Sequence, residues 1–199
     1  MPTSAEIIDL KITPRSVVSI SSSPFTGQQQ VQEYPGQWWN AEIELAPMRR
    51  AVAEEYISFL LKLNGKLGTF LFGDPLAATP RGIATGAPQV NGAHAAGVNS
   101  LSTKGWTISQ TGILKAGDQI QLGTGSTSRM YKNLSDVNSD GSGNAVIDIW
   151  PRLRAAAVNS EPIVVNDCKS IYRLSTNDMS WSVGQAQIYG LAFGFMEAI

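Results

Sequence analysis

The chain has 199 residues, enough to bury a core in one large domain or two small ones without disulfide staples. Only 16% of it is charged while 43% is hydrophobic, a mix that favours strands and turns over long helices and leaves a charge-poor surface of the kind neighbouring subunits cover. Fifteen basic and sixteen acidic side chains give a net charge of -1 with no basic cluster, which excludes direct nucleic-acid binding.

Taken in chain order, the first clear element is the alternating run Trp38–Leu45, which sends Trp39, Ala41, Ile43 and Leu45 to one face and Asn40, Glu42 and Glu44 to the other. This predicts a strand with one wet side. An amphipathic helix is expected over Pro47–Asn64, with Pro47 at its first position, Val52, Tyr56, Phe59, Leu60 and Leu63 on the apolar face, and Gly65 as the left-handed cap. Thr69–Phe72 reads as a short buried strand that ends at Gly73-Asp-Pro75.

Residues 76–104 are rich in Ala, Gly, Pro, Asn and Ser, too poor in large apolar groups for an element of their own, and read as a connection into a second module. Short strands then follow closely at Asp118–Leu122, Met130–Val137, Ala145–Trp150, Pro162–Val165 and Ser170–Leu174. Turn chemistry separates them at Gly123-Thr-Gly125, Asp140-Gly-Ser-Gly143 and Asn159-Ser-Glu-Pro162, a pattern that predicts a small barrel. The last stretch, Trp181–Ile199, returns to longer strands.

Residues 1–75 offer too few strands to cover the helix and leave no open edge, so the C-terminal hairpin is expected to complete their sheet. The resulting fold class is mainly β. A split β-barrel or sandwich with one α-helix would comprise residues 1–80 and 172–199, and residues 81–171 would be a linker and an inserted small, OB-like β-barrel.

Little in the chain carries chemistry. Asp136-Val-Asn-Ser-Asp140-Gly141 matches the opening of a calcium loop, but its twelfth position is Ile147 and strands flank it, so it reads as an Asp-Gly turn against a weak calcium site. His94 is the sole histidine and has no acidic residue or cysteine near it in sequence. Glu42 and Glu44 share one strand face, which a solvated sheet surface explains. Cys168, the single cysteine, reads as an apolar filler in a protein folded in a reducing compartment. No catalytic residue, metal ligand or cofactor is expected. The N-terminus lacks the cationic and apolar segments of a signal peptide, and no membrane span is expected. The five tryptophans point first to core or subunit-interface packing, with sugar stacking by Trp106 and Trp150 as the alternative.

Three segments resemble the distal tail proteins and related minor tail proteins of long-tailed bacteriophages and prophages. They are Gln37-Trp-Trp-Asn-Ala-Glu-Ile-Glu-Leu-Ala-Pro-Met48 leading to Gly68-Thr-Phe-Leu-Phe-Gly-Asp-Pro75; Leu114-Lys-Ala-Gly-Asp118 with Asp140-Gly-Ser-Gly143 and Trp150-Pro-Arg-Leu-Arg154; and Trp181-Ser-Val183 followed by Tyr189-Gly-Leu-Ala-Phe-Gly-Phe-Met-Glu-Ala198. The resemblance implies a virion protein of the tail tip, assembled in the host cytoplasm. It would form a homohexameric ring joining the tail tube protein to the hub or baseplate, with the tape-measure protein as a further neighbour. The carbohydrate-binding domain of larger members is not expected within these 199 residues. Sheet continuation between copies would place Trp38, Trp39, Glu42, Glu44, Tyr189, Phe193, Phe195 and Glu197 at the subunit interface. The alternative function is a carbohydrate-binding tail module using Trp106 and Trp150.

Overall fold

The structure is a computed structural model describing residues 1–199. The chain is mainly β, with 46% of residues in strands and 10% in helices, and it has one α-helix and two sheets, one of them a curled half-barrel. It divides into two compact units. The terminal unit comprises Pro2–Gly68 with Arg173–Glu197, and the central unit comprises Thr69–Tyr172.

In the terminal unit, β1 (Ile7–Ser22) and β2 (Gln29–Arg49) form a long antiparallel hairpin. Strand β11 (Ile188–Glu197) pairs with the other side of β2, and β10 (Trp181–Val183) pairs with β11. The alternation in β2 holds: Trp39, Ala41, Ile43 and Leu45 are buried, as are Leu191, Phe193 and Phe195 opposite them on β11, whereas Glu42 and Glu44 are exposed. Helix α1 (Arg50–Leu63) covers this apolar face with Ala53, Tyr56, Ile57, Leu60 and Leu63.

The helix begins later than its sequence pattern indicates. Pro47 and Met48 remain in β2, because Met48 and Arg49 are still paired with Tyr189 and Ile188. The buried stripe is also rotated, so Ala53 and Ile57 lie inside while Val52 and Phe59 are only partly covered. At the other end Asn64, with φ 51°, takes the left-handed cap, and the Gly68 amide donates to Leu63 O at 2.7 Å.

In the central unit, β3 (Phe70–Phe72) pairs with the start of β9 (Ser170–Leu174). A five-stranded sheet follows the order β4 (Gly86–Val90), β5 (Ser100–Trp106), β8 (Ala145–Trp150), β7 (Arg129–Asn133), β6 (Gln119–Leu122). The stretch 76–104 is therefore more than a connection. Val90 and Leu101 are placed so that each enters the core, Thr103 is buried beside them, and Ser100, Ser102 and Lys104 take the intervening positions. Residues 162–165 form no strand of their own. The segment instead bonds both edges of the sheet: the Ile163 amide donates to Pro88 O of β4, and Val164 exchanges amide bonds with Gln121 of β6.

Candidate functional site

The motif residues of the central unit prove to be structural keystones. Leu114 is fully buried, Gly117 adopts φ 97°, and Asp118 turns inward, where its carboxylate accepts the backbone amides of Arg81, Gly82 and Lys115 at 2.7, 2.9 and 2.7 Å. Gly143, at φ 75°, leaves no room for a Cβ against Trp106 O. A cis peptide bond joins Trp150 to Pro151, Leu153 is buried, and the Arg154 amide donates to the Tyr131 hydroxyl at 3.0 Å.

The calcium-like loop spends its oxygens on the chain itself. Asp136 accepts from Lys115 Nζ and the Ala116 amide, Asn138 Oδ1 accepts from Gly112, and Asp140 Oδ1 accepts from the Ser142 and Asn144 amides. These bonds hold the Asp136 carboxyl below its usual range, chiefly through Lys115, and the Asp140 carboxyl likewise, chiefly through Asn144 and then Ser142. No group of three or more His, Cys, Asp or Glu side chains stands close enough to hold a metal ion. His94 bridges to Ala157 through main-chain bonds, and its Nε2 accepts the Ser102 amide at 3.3 Å. Glu42 meets Lys11 at 3.4 Å in solvent.

Trp106 does not belong to a ligand surface. It is 3% exposed, and its Nε1 donates to Thr103 Oγ1, which in turn donates to Ala145 O. Its apolar body fills the core, so no ring face is left for a sugar. Trp150 is half-buried beside the cis bond.

The residues expected at a subunit interface divide. Trp39, Phe193, Phe195 and Glu197 are buried inside the terminal unit, Trp38 and Tyr189 are half-buried, and only Glu42 and Glu44 lie open. Glu197 has a local task, since its carboxylate accepts the Trp39 amide at 3.3 Å where the β11 ladder ends. Residues 40–45 of β2 offer no free edge either, because β1 and β11 pair with them on both sides. The expectation that the sheet continues into another copy from residues 40–45 is thus corrected, since both edges of that stretch are taken; within the terminal unit the strands paired on one side only are β1 and β10.

A surface that the alternation pattern did not reveal lies beyond this point. The β2–β11 ladder stops at Asn40↔Met196, whereas the β1–β2 hairpin runs on from Ser16↔Gln37 to Ser22↔Gln29 and turns through Ser23–Gln28. Residues 16–36 therefore form a two-stranded arm, exposed almost throughout. Val18, Ile20 and Val31 share one face, with Ile20 directly opposite Val31, and Phe25 at the tip is 94% exposed. The sequence signal for it is a run of Val, Ile and Phe among Ser and Gln with no charge from residue 16 to 32. No protein-family model matches the chain, and no curated protein matches it.

Proposed function

We propose that the chain is a structural subunit of a bacteriophage tail tip, forming a ring of identical copies, six by its family resemblance, between the tail tube and the hub or baseplate. The carrying observation is the arm. A lone two-stranded ribbon is at best marginally stable in water, and this one exposes Val18, Ile20, Phe25 and Val31 instead of covering them. Residues 16–36 also lack the lysines with which soluble proteins blunt an open edge. Both features suit a segment covered on assembly.

The tail assignment draws its support from the three resembling segments. Their glycines, Asp118 and Leu153 have packing and hydrogen-bonding tasks, which fits a motif kept for architecture. The work of such a protein is assembly, without a catalytic step, in the virion tail tip after folding in the host cytoplasm.

Native mass spectrometry and electron microscopy of the purified chain test this reading, with a closed ring of one stoichiometry as the expected result. A monomer at every concentration overturns the ring. A coding neighbourhood without a tape-measure gene upstream and hub genes downstream overturns the tail assignment.

A further inference from the structure

The terminal unit carries a second exposed hairpin. Strand β10 and the turn into β11 span residues 181–188, closed by the Gly184 amide donating to Ile188 O at 2.8 Å, and every residue in that span is exposed. Trp181, Val183 and Ile188 are its apolar groups, and no charged side chain occurs between Met179 and Met196. A third uncharged run, residues 82–103, is accounted for differently, since it delivers Val90 and Leu101 to the core of the central unit.

The two exposed hairpins stand on opposite sides of the same sheet. The arm grows from β1 and β2, while β10 lies on the far side of β11, so β2 and β11 intervene. At about 4.8 Å per strand, β1 and β10 are separated by roughly 15 Å. Both surfaces are largely apolar and poor in charge, with Glu33 opposite Val18 as the arm's single charged side chain, a composition close to that of interface centres, where charge is depleted. Both also present strand edges, which a partner strand can extend. The arm alone, at 21 residues, matches the roughly 20–30 residues that each side contributes to a stable interface.

We infer that the arm of one copy docks on the β10 hairpin of the next, with Val18, Ile20 and Val31 covering Trp181 and Val183, which share one face of that hairpin. The inference rests on the assembly reading and names its contact. Two different patches on opposite sides of one subunit make a head-to-tail contact, which closes into a ring or runs on as a filament. An arm-to-arm contact would instead stop at a dimer.

Complementary charge substitution tests the pairing in the full chain. Ile20→Lys and Val183→Asp both fall on exposed positions, 61% and 55% open, where the monomer tolerates charge. Native mass spectrometry should show assembly for the wild type, loss of at least tenfold in assembled mass for each variant alone, and mixed assemblies when the two variants are combined. If Ile20→Lys disrupts assembly and Val183→Asp does not, the arm docks elsewhere; the inference falls and the assembly reading stands. If the mixture gives no assembly, the direct pairing falls. A wild-type chain that stays monomeric overturns both readings. Circular dichroism of each variant, expected to match the wild type, separates lost docking from lost folding.

Discussion

Asp118 holds Arg81 by a backbone hydrogen bond of 2.7 Å across 37 residues of sequence, and the same carboxylate takes the amides of Gly82 and Lys115. One buried side chain thus ties the entry into the central unit to the turn before β6. Asp118→Ala strands three partly buried amides. Because these donors are partly reachable by water, the expected loss is about 1–3 kcal/mol, read as a lower denaturation midpoint with an unchanged slope. Asp118→Asn, which keeps acceptor oxygen on one side only, should fall between the two.

Trp106→Ala should cost about 3–5 kcal/mol, because it empties a core position and removes the donor that orients Thr103. Its effect on any binding assay must therefore be read beside a melting curve. Trp106→Phe should lose less, keeping most of the apolar volume.

The lowered carboxyls of Asp136 and Asp140 carry a defined pH dependence. A carboxyl depressed in the folded state contributes stability that is present above its unfolded value, about 3.9, and is lost as pH falls through the folded one. The Ser142 and Asn144 amides should keep their hydrogen-exchange protection at neutral pH and lose it only below about pH 4. Asp140→Asn retains an acceptor oxygen but does not titrate, so the pH step at these two amides should vanish in that variant.

Burial, aided by the charge of Asp167, pushes the Cys168 thiol up to about 12. At pH 8 the native protein should therefore resist iodoacetamide, because almost no thiolate forms. Labelling should appear together with the unfolding transition in denaturant. Fast labelling of the folded chain would contradict the burial of this side chain.

The legible part of the fold is the part where periodicity records burial. The alternation from Trp39 to Leu45 reads one buried face, and the structure buries it. The helix was legible in kind but displaced in phase, because Met48 and Arg49 stay in register with β11 and tertiary pairing outweighs the N1 preference of Pro47. Strands β4 and β5 escaped notice because each sends only one or two large groups inward, leaving no dense apolar run to read. The arm escaped for the opposite reason. It buries almost nothing, so its strands have no inside and outside for alternation to report. Trp106 shows a further limit, since residue type and a strand position do not say which face of a half-barrel a side chain takes.

The segment 161–164 has a consequence for how the molecule avoids misassembly. By bonding to β4 on one side and β6 on the other, it leaves the five-stranded sheet little backbone for a stranger's strand to pair with. The arm-bearing sheet has no such strap. The exposed apolar hairpins thus belong to the terminal unit alone, as the arm and the β10 hairpin.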